Sequence, residues 1–269
     1  MTDQKAAQGS KPEAKNKEVV AKATTKPKID PILKQLLEAG AHFGQRTERW
    51  NPKMKPFIFG ARSGVHIIDL TITAKQLDIA EKFAYETTKL GGQILFVGTK
   101  RQAKGIVERY AREAGMPFVT HRWLGGMLTN LDTITLRIQR LKKLEAQKAE
   151  NDFEGTIKKE KVVLEEQMRK LGVMFDGVRE MHGLPAALYV VDMPREDNAI
   201  LEARKLNIPV IALADTNADP DLVEYPIACN DDAIKAIELV TGKIATSALR
   251  GANEYRAKAA TEQPTEEIE

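Results

Sequence analysis

Short apolar runs alternate with amphipathic stretches along much of the chain. The runs begin near residues 66, 94, 118, 187 and 210, and stretches with helical spacing follow most of them. Short runs rich in β-branched residues are typical of buried strands, and helices between them join strands that point the same way. The pattern therefore predicts an α/β fold with a doubly wound, mainly parallel five-stranded sheet and helices on both faces. A further run at 225–230 is predicted as a short edge element.

The interval between the third and fourth runs is too long for a single crossover helix. Apolar residues recur at alternating spacings of three and four over 131–141 and again over 164–178. These are heptad-type patterns on two helices, and a polar segment at 150–156 separates them. The interval therefore predicts an antiparallel coiled-coil hairpin over 129–181 that is inserted in the sheet domain.

The remaining segments complete the predicted domain organisation. The sheet domain is formed by residues 29–128 and 182–257. Residues 1–28 contain seven lysines and three acids, and residues 258–269 form an acidic tail. Because such segments bury too little apolar surface to offset the loss of chain entropy, both ends are predicted to be disordered. The basic extension fits either a solubilising tail or an arm that binds a polyanion.

Composition narrows the class of protein. A hydrophobic fraction of 42% and a charged fraction of 29% are those of a globular protein, and no apolar run has the length of a membrane span. Residues 1–28 lack the apolar centre of a secretory signal, and the single cysteine, Cys229, can form no internal disulfide. A cytoplasmic location is therefore expected. Since the net charge is only +3, nucleic-acid binding would have to rest on local clusters of cations.

A sheet of this type also suggests a nucleotide-dependent enzyme that uses Asp192 and Asp215, which end two of the runs. These carboxylates could hold a metal and a phosphate, or they could cap the turns that follow. The turn after the second run, GTKRQAKG, lacks the glycine patterns that cradle phosphates. The four histidines have no metal-ligand spacing. We therefore predict no catalytic residue, no cofactor and no metal site, and keep the enzyme as the alternative.

Cations and aromatic residues are concentrated in three segments. The first, residues 43–64, contains two prolines and has no helical or strand period, so it is predicted to be an ordered loop. The second, residues 98–104, places cations at the start of a helix, where the macrodipole disfavours them unless an anion is present. The third, residues 120–130, joins an arginine to a tryptophan and two glycines.

Segments of this makeup are typical of RNA-binding proteins, because cations neutralise phosphates and aromatic rings stack on unpaired bases. The candidate RNA-binding residues of the three segments are Arg46, Arg49, Trp50, Lys53, Lys55, Arg62, Lys100, Arg101, Arg122, Trp123 and Asn130. For each tryptophan taken alone, packing in the core is the competing interpretation.

Long stretches of the chain resemble one known family. The stretches FGQRTERWNPKMKPFIFGARSGVHIIDL, GTKRQA, RWLGGMLTN and YPIACNDDAIKAI, in this order, resemble the bacterial-type S-two family of small-subunit ribosomal proteins. The resemblance implies a flavodoxin-like or Rossmann-like sheet with a protruding coiled-coil hairpin, and a protein that is not an enzyme. It also implies contacts with small-subunit rRNA and with other small-subunit ribosomal proteins, including the largest of them, S-one.

The candidate residues lie within the motifs that this resemblance rests on, namely WNPKMKP, GTK and RWLGGMLTN. One position differs, because the family usually continues HFGH whereas Gln45 follows Gly44 here. No histidine is therefore expected to act as a metal ligand at this position. We expect the cations to contact the rRNA, and Trp50, Phe57 and Phe59 to hold their segment against the domain.

Overall fold

The computed structural model describes residues 30–153, 155, 157–181 and 183–262. The helices of this part of the chain are α1 (Pro31–Glu38), α2 (Leu70–Lys89), α3 (Lys104–Ala114), α4 (Leu131–Asn151), α5 (Lys158–Phe175), α6 (Asp197–Lys205) and α7 (Ile234–Glu262). The strands are β1 (Phe43–Arg46), β2 (Ile58–Arg62), β3 (Val65–Ile68), β4 (Ile94–Val97), β5 (Phe118–Val119), β6 (Ala187–Val191), β7 (Val210–Ala214) and β8 (Tyr225–Ala228). None of these helices is both long and apolar enough to cross a membrane.

A five-stranded parallel sheet lies at the centre of the fold, as the apolar runs predict. Its strand order is β5-β4-β6-β7-β8, and all of its pairings are parallel. Every residue of β4, β6 and β7 is buried, which explains why these strands are continuous apolar runs in the sequence. The predicted α/β class with a parallel five-stranded sheet is confirmed.

One strand of this sheet differs from the prediction. The run at 66–70 contributes β3, which pairs antiparallel with β1 and β2 in a separate three-stranded sheet of order β1-β3-β2. The fifth parallel strand is β8, in the run predicted as an edge element. An apolar run indicates that a strand forms, but its partner is set by packing against residues far away in the sequence.

The prediction that residues 43–64 form a loop is wrong, because this segment contains β1, two short 3-10 helices and β2. The β2–β3 hairpin turns through Ser63 and Gly64, whose φ angles are 52° and 77°. Positive φ at both central residues is the geometry of a type I′ turn, whose twist matches that of the flanking strands. The Ser-Gly dipeptide between two strand-forming stretches was the signal for this hairpin.

Two apolar cores cover the two faces of the parallel sheet. One lies against α1, α2, α3 and α7, and the other lies against α4, α6 and β3. Successive strand residues enter opposite cores, so that Phe96 belongs to the first core and Leu95 to the second. This alternation excludes water from both faces of the sheet.

Helices α4 and α5 occupy the interval for which the hairpin is predicted. The buried residues of α4 recur at spacings of three and four, and they are Ile134, Ile138, Leu141 and Leu144. Lys148 Nζ on α4 lies 3.0 Å from Glu165 Oε1 on α5, so the two helices are neighbours. Their coiled-coil geometry, and the division of the chain into domains, stay predictions.

The predicted disordered ends fall mostly outside the described residues, since 1–28 and 263–269 are not among them. Helix α7 continues to Glu262, so residues 258–262 of the predicted disordered tail are helical.

Candidate nucleic-acid interface

The three cationic segments meet at one edge of the parallel sheet. Because the strands are parallel, their carboxyl ends share an edge, and residues 98–104 and 120–130 follow the adjacent strands β4 and β5 there. Residues 43–62 reach the same edge through bonds to Thr216, the second residue after β7. The backbone N–H of Gln45 donates to Thr216 Oγ1 (2.8 Å), and that of Asn51 donates to the Thr216 carbonyl (2.7 Å).

Gly44 allows this close approach. A Cβ atom at this position would lie 2.5 Å from the Cγ2 atom of Thr216 and 3.3 Å from a carboxylate oxygen of Asp215. Both neighbours are buried residues that directly follow β7, so they cannot easily move. The absence of a side chain at position 44 therefore lets the first cationic segment pack directly on the sheet.

Lys100 does not face solvent. Its side chain is only 11% exposed, and its Nζ atom lies 2.7 Å from Asp231 Oδ1, 2.6 Å from Asp232 Oδ1 and 3.2 Å from Asp192 Oδ2. These acids follow β6 and β8, so the lysine connects the ends of three strands. Burial alone would lower the pKa of Lys100, but hydrogen bonds to Asp231 and Asp232 outweigh it and raise that pKa.

Several carboxylates lie close together at the same edge of the parallel sheet. Gln45 Nε2 donates to Asp215 (3.1 Å) and to Asp232 (2.8 Å), so this amide bridges two of them. Burial, followed by the charges of Asp215 and Asp192, raises the pKa of Asp231 to about 7. The Lys100 ammonium opposes this shift, and it leaves the cluster with less net negative charge than its carboxylates alone would give.

Among the described residues, the group that could hold a metal ion is formed by Asp215, Asp231 and Asp232, which each offer an oxygen within 4.8 Å of the others. Lys100 and Gln45 donate hydrogen bonds to this group. An ammonium and an amide nitrogen are donors rather than ligands. Together they bind one oxygen each of Asp215 and Asp231 and both oxygens of Asp232, while Asp231 Oδ2 has no hydrogen-bond partner.

Asp192 and Asp215 fit the capping interpretation better than the enzymatic one. Asp215 accepts a bond from the backbone N–H of Thr216 (2.5 Å), and Asp192 accepts one from that of Arg195 (3.3 Å). Ligands of open α/β sheets bind beyond the carboxyl ends of the strands. In this protein β1 and its bonds to Thr216 lie at that place.

Six of the predicted cations have the exposure that RNA contact requires. They are exposed and form no ion pair with any carboxylate of the described residues: Arg46, Arg49, Lys55, Arg62, Arg101 and Arg122. Arg46 and Arg62 both pair with Val65 of β3, from the two sides of that strand. Directly paired residues share a face of a sheet, so these two guanidinium groups lie on the same face.

The other two predicted cations are held by acids. Lys100 is bound by the aspartates that follow β6 and β8. Lys53 Nζ lies 2.8 Å from Asp219 Oδ2 and 3.0 Å from Asp221 Oδ2. Lys53 thus links the 3-10 helix at 52–57 to the one at 220–222. The helix predicted to begin near Arg101 begins at Lys104, so Lys100 and Arg101 lie in the preceding turn.

The aromatic residues of the first segment differ in exposure. Trp50 is half-buried, with its ring 5.2 Å from that of His66, and Phe57 packs against the second core. The expectation that Phe59 also packs is wrong, because it is 79% exposed. Ile58 pairs with Ile68 and Gly60 with Ile67, so Phe59 is the extra residue of a β-bulge, which turns its side chain outward.

The third segment is fixed by a residue that sequence analysis missed. Trp123 is 8% exposed, as the packing interpretation predicts, and its Nε1 donates to Glu202 Oε1 (3.0 Å). Burial acts to raise the pKa of Glu202, but its hydrogen bonds lower that pKa below the ordinary value. Glu202 lies on α6, and its sequence context, ILEARKL, gives no sign of this role. Asn130 is exposed and precedes α4.

A family model described as ribosomal protein S2 matches residues 36–251. The chain belongs to the ribosomal protein S2 family. It is 52% identical over 220 residues to the small ribosomal subunit protein uS2 of Sorangium cellulosum, which covers 82% of this chain and 79% of that protein. The uS2 of Nocardia farcinica is 53% identical over 219 residues, with 81% and 77% covered, and that of Coprothermobacter proteolyticus is 51% identical over 219 residues, with 81% and 82% covered.

Membership of the S2 family confirms the resemblance seen in the motifs. The relatives are small-subunit ribosomal proteins by name, which supports a structural role in the ribosome. The nucleotide-dependent alternative finds no support in the S2 family or in the geometry around Asp192 and Asp215. The individual RNA-binding residues stay predictions.

Proposed function

We propose that this protein is a structural constituent of the small ribosomal subunit in the cytoplasm, and that it binds small-subunit rRNA through the carboxyl edge of its parallel sheet. The observation that supports this most directly is the set of six exposed cations without ion pairs among the described residues. They belong to three segments that are far apart in the sequence and meet at one edge. An RNA backbone supplies anions that the described carboxylates do not offer them.

The proposed interface contains fewer residues than the one expected from the sequence. It contains Arg46, Arg49, Lys55, Arg62, Arg101, Arg122 and Asn130. Lys53 and Lys100 serve mainly to hold the segments in place, because carboxylates already bind their ammonium groups. Trp50 and Trp123 support the segments from beneath, because both rings pack against the protein.

Salt dependence tests this proposal. Six phosphate contacts should give the logarithm of the association constant a slope of roughly −4 to −5 against the logarithm of salt concentration. The measurement is filter binding of the purified protein to a small-subunit rRNA fragment over a range of KCl concentrations. A flat response would contradict a phosphate-dominated interface.

We further propose that neighbouring ribosomal proteins, including the largest small-subunit protein S-one, contact the exposed aromatic surface beside the cations. Phe59 is 79% exposed and Phe43 is 49% exposed, and both flank β3. A ring that the fold leaves in water offers apolar area to a protein partner, and aromatic anchors are enriched at the centres of such interfaces.

Phe59→Ala is expected to weaken the binding of S-one by about tenfold or more, as loss of an aromatic anchor usually does. Pull-down of S-one by small subunits that contain the variant would measure this. The affinity of the variant for rRNA should stay unchanged, because no cation is removed. A loss of rRNA affinity together with normal binding of S-one would instead assign Phe59 to the RNA interface.

A further inference from the structure

Glu202 accepts hydrogen bonds from four residues of the third cationic segment. One carboxylate oxygen accepts bonds from Trp123 Nε1 (3.0 Å) and from the backbone N–H of Gly126 (2.7 Å). The other accepts bonds from the backbone N–H of Leu128 (3.0 Å) and from the N–H and hydroxyl of Thr129 (both 3.1 Å). A single side chain of α6 thus binds five donors of a segment that contains no regular element between β5 and α4.

We propose that Glu202 is the positioning residue of this segment. It holds residues 123–129 in one conformation and thereby fixes the positions of Arg122 and Asn130 for contact with RNA. This inference rests on the proposed function. Arg122 directly precedes the residues bound by Glu202, and Asn130 directly follows them; both are exposed. A fixed segment loses less conformational entropy when RNA binds, and this raises the affinity without adding a contact.

The chemistry of the donors explains why a carboxylate is needed. Three of the five donors are backbone N–H groups in a stretch without helical or strand partners, so they need an acceptor that the backbone does not supply. The buried indole of Trp123 likewise needs a partner for its N–H. Bonds to an ionised acceptor are shorter and stronger than neutral ones. The five donors divide between the two carboxylate oxygens, two on Oε1 and three on Oε2, so one lone pair is shared by two donors.

The Glu202→Gln variant distinguishes a positioning role of Glu202 from a purely electrostatic effect of its charge on RNA affinity. The glutamine amide would turn two hydrogens toward N–H donors, so the segment should loosen. Positioning predicts that affinity for the rRNA fragment falls about tenfold, while the salt slope stays the same because every cation remains. Simple electrostatics predicts the opposite sign, because the removal of a negative charge near RNA should raise the affinity.

The experiment compares wild type with Glu202→Gln and four further variants by filter binding and by hydrogen exchange of the Gly126, Leu128 and Thr129 amides. Glu202→Asp keeps the charge but shortens the reach, so it should also lose affinity and exchange faster. Asp197→Asn removes an exposed acid of the same helix and should not lose affinity. Ile244→Val destabilises the core on the other face of the sheet and should bind normally. Arg122→Ala should reduce both affinity and salt slope.

The outcomes are distinguishable. If wild type binds rRNA, and Glu202→Gln binds equally well or better with the three amides still protected, the positioning role is overturned. If wild type itself does not bind, the proposed function fails. The exchange rates in Glu202→Gln and Glu202→Asp then decide whether Glu202 holds the segment. Faster exchange at these three amides, with unchanged exchange in β6, supports that role. An equal change in exchange at these amides and in β6 excludes it.

Discussion

Replacement of Lys100 by methionine is expected to lower the free energy of unfolding by about 3–5 kcal/mol, the cost of removing one partner from a buried ion pair. The lysine side chain is 11% exposed, and its ammonium contacts carboxylates of Asp192, Asp231 and Asp232. Methionine retains the length of the side chain but leaves these acids without their cation. Asp231 is affected most, because its side chain is only 1% exposed.

Urea unfolding of the two proteins measures this effect. Arg101→Met is the matched control, because Arg101 is the adjacent cation but is exposed, and its loss should change the free energy of unfolding by less than about 0.5 kcal/mol. Equal stability of Lys100→Met and wild type would mean that the carboxylates find other partners and that Lys100 is free for RNA.

The loss of unfolding free energy in Lys100→Met should also depend on pH. The pKa of Asp231 is raised to about 7 in the folded state, above its ordinary value of 3.8, so the folded protein holds this proton more tightly than the unfolded chain does. Such an acid destabilises the fold progressively as pH rises from about 4 to about 7. Without Lys100 the destabilisation becomes larger, so wild type and variant should differ less at pH 5 than at pH 8.

The combined substitution of Arg46, Arg49 and Lys55 by alanine is expected to weaken binding to small-subunit rRNA by on the order of 100-fold, if each lost phosphate contact costs about 1 kcal/mol. The salt slope should become shallower by about two to three units. All three side chains are exposed and have no ion pair with a described carboxylate, so the melting temperature should hardly change.

A variant with alanine at Lys75, Lys82 and Lys258 is the control for net charge, because these exposed lysines lie on α2 and α7. It should bind rRNA almost normally. Lys53→Ala should affect RNA affinity less than any one of the three interface substitutions, because Asp219 and Asp221 already bind its ammonium. Normal incorporation of the triple variant into small subunits, seen by sedimentation, would show that the first segment is not the RNA contact.

Local patterns determined most of the architecture. Strands β4, β6 and β7 are apolar on both faces because helices cover both, so each is a continuous run that periodicity can detect. The motifs around Trp50, Lys100 and Trp123 were long enough to identify the family, which the match over residues 36–251 confirms. Neither inference requires knowledge of which strand lies beside which.

Other features escaped local analysis for identifiable reasons. β3 has the composition of a parallel strand, but it joins β1 and β2 because the Ser63–Gly64 turn folds it back. Phe59 was expected to pack, and a bulge that no sequence pattern announces turns it outward. The three cationic segments could be located from composition, but their cations could not be sorted into free and paired ones.

Which of these cations are free and which are paired was decided by the tertiary structure alone. The sequence determined that cations, aromatic residues and glycines cluster in three segments, because composition is a local property. Whether a given cation is available to RNA depends on which acid the fold brings beside it. The ammonium of Lys100 meets Asp231 because β4 and β8 belong to one parallel sheet and end at the same edge. Arg101, one residue later, meets no described carboxylate and stays exposed. Neighbouring residues with the same charge thus differ in role, because electrostatic partners are set by distance in space and not by distance along the chain.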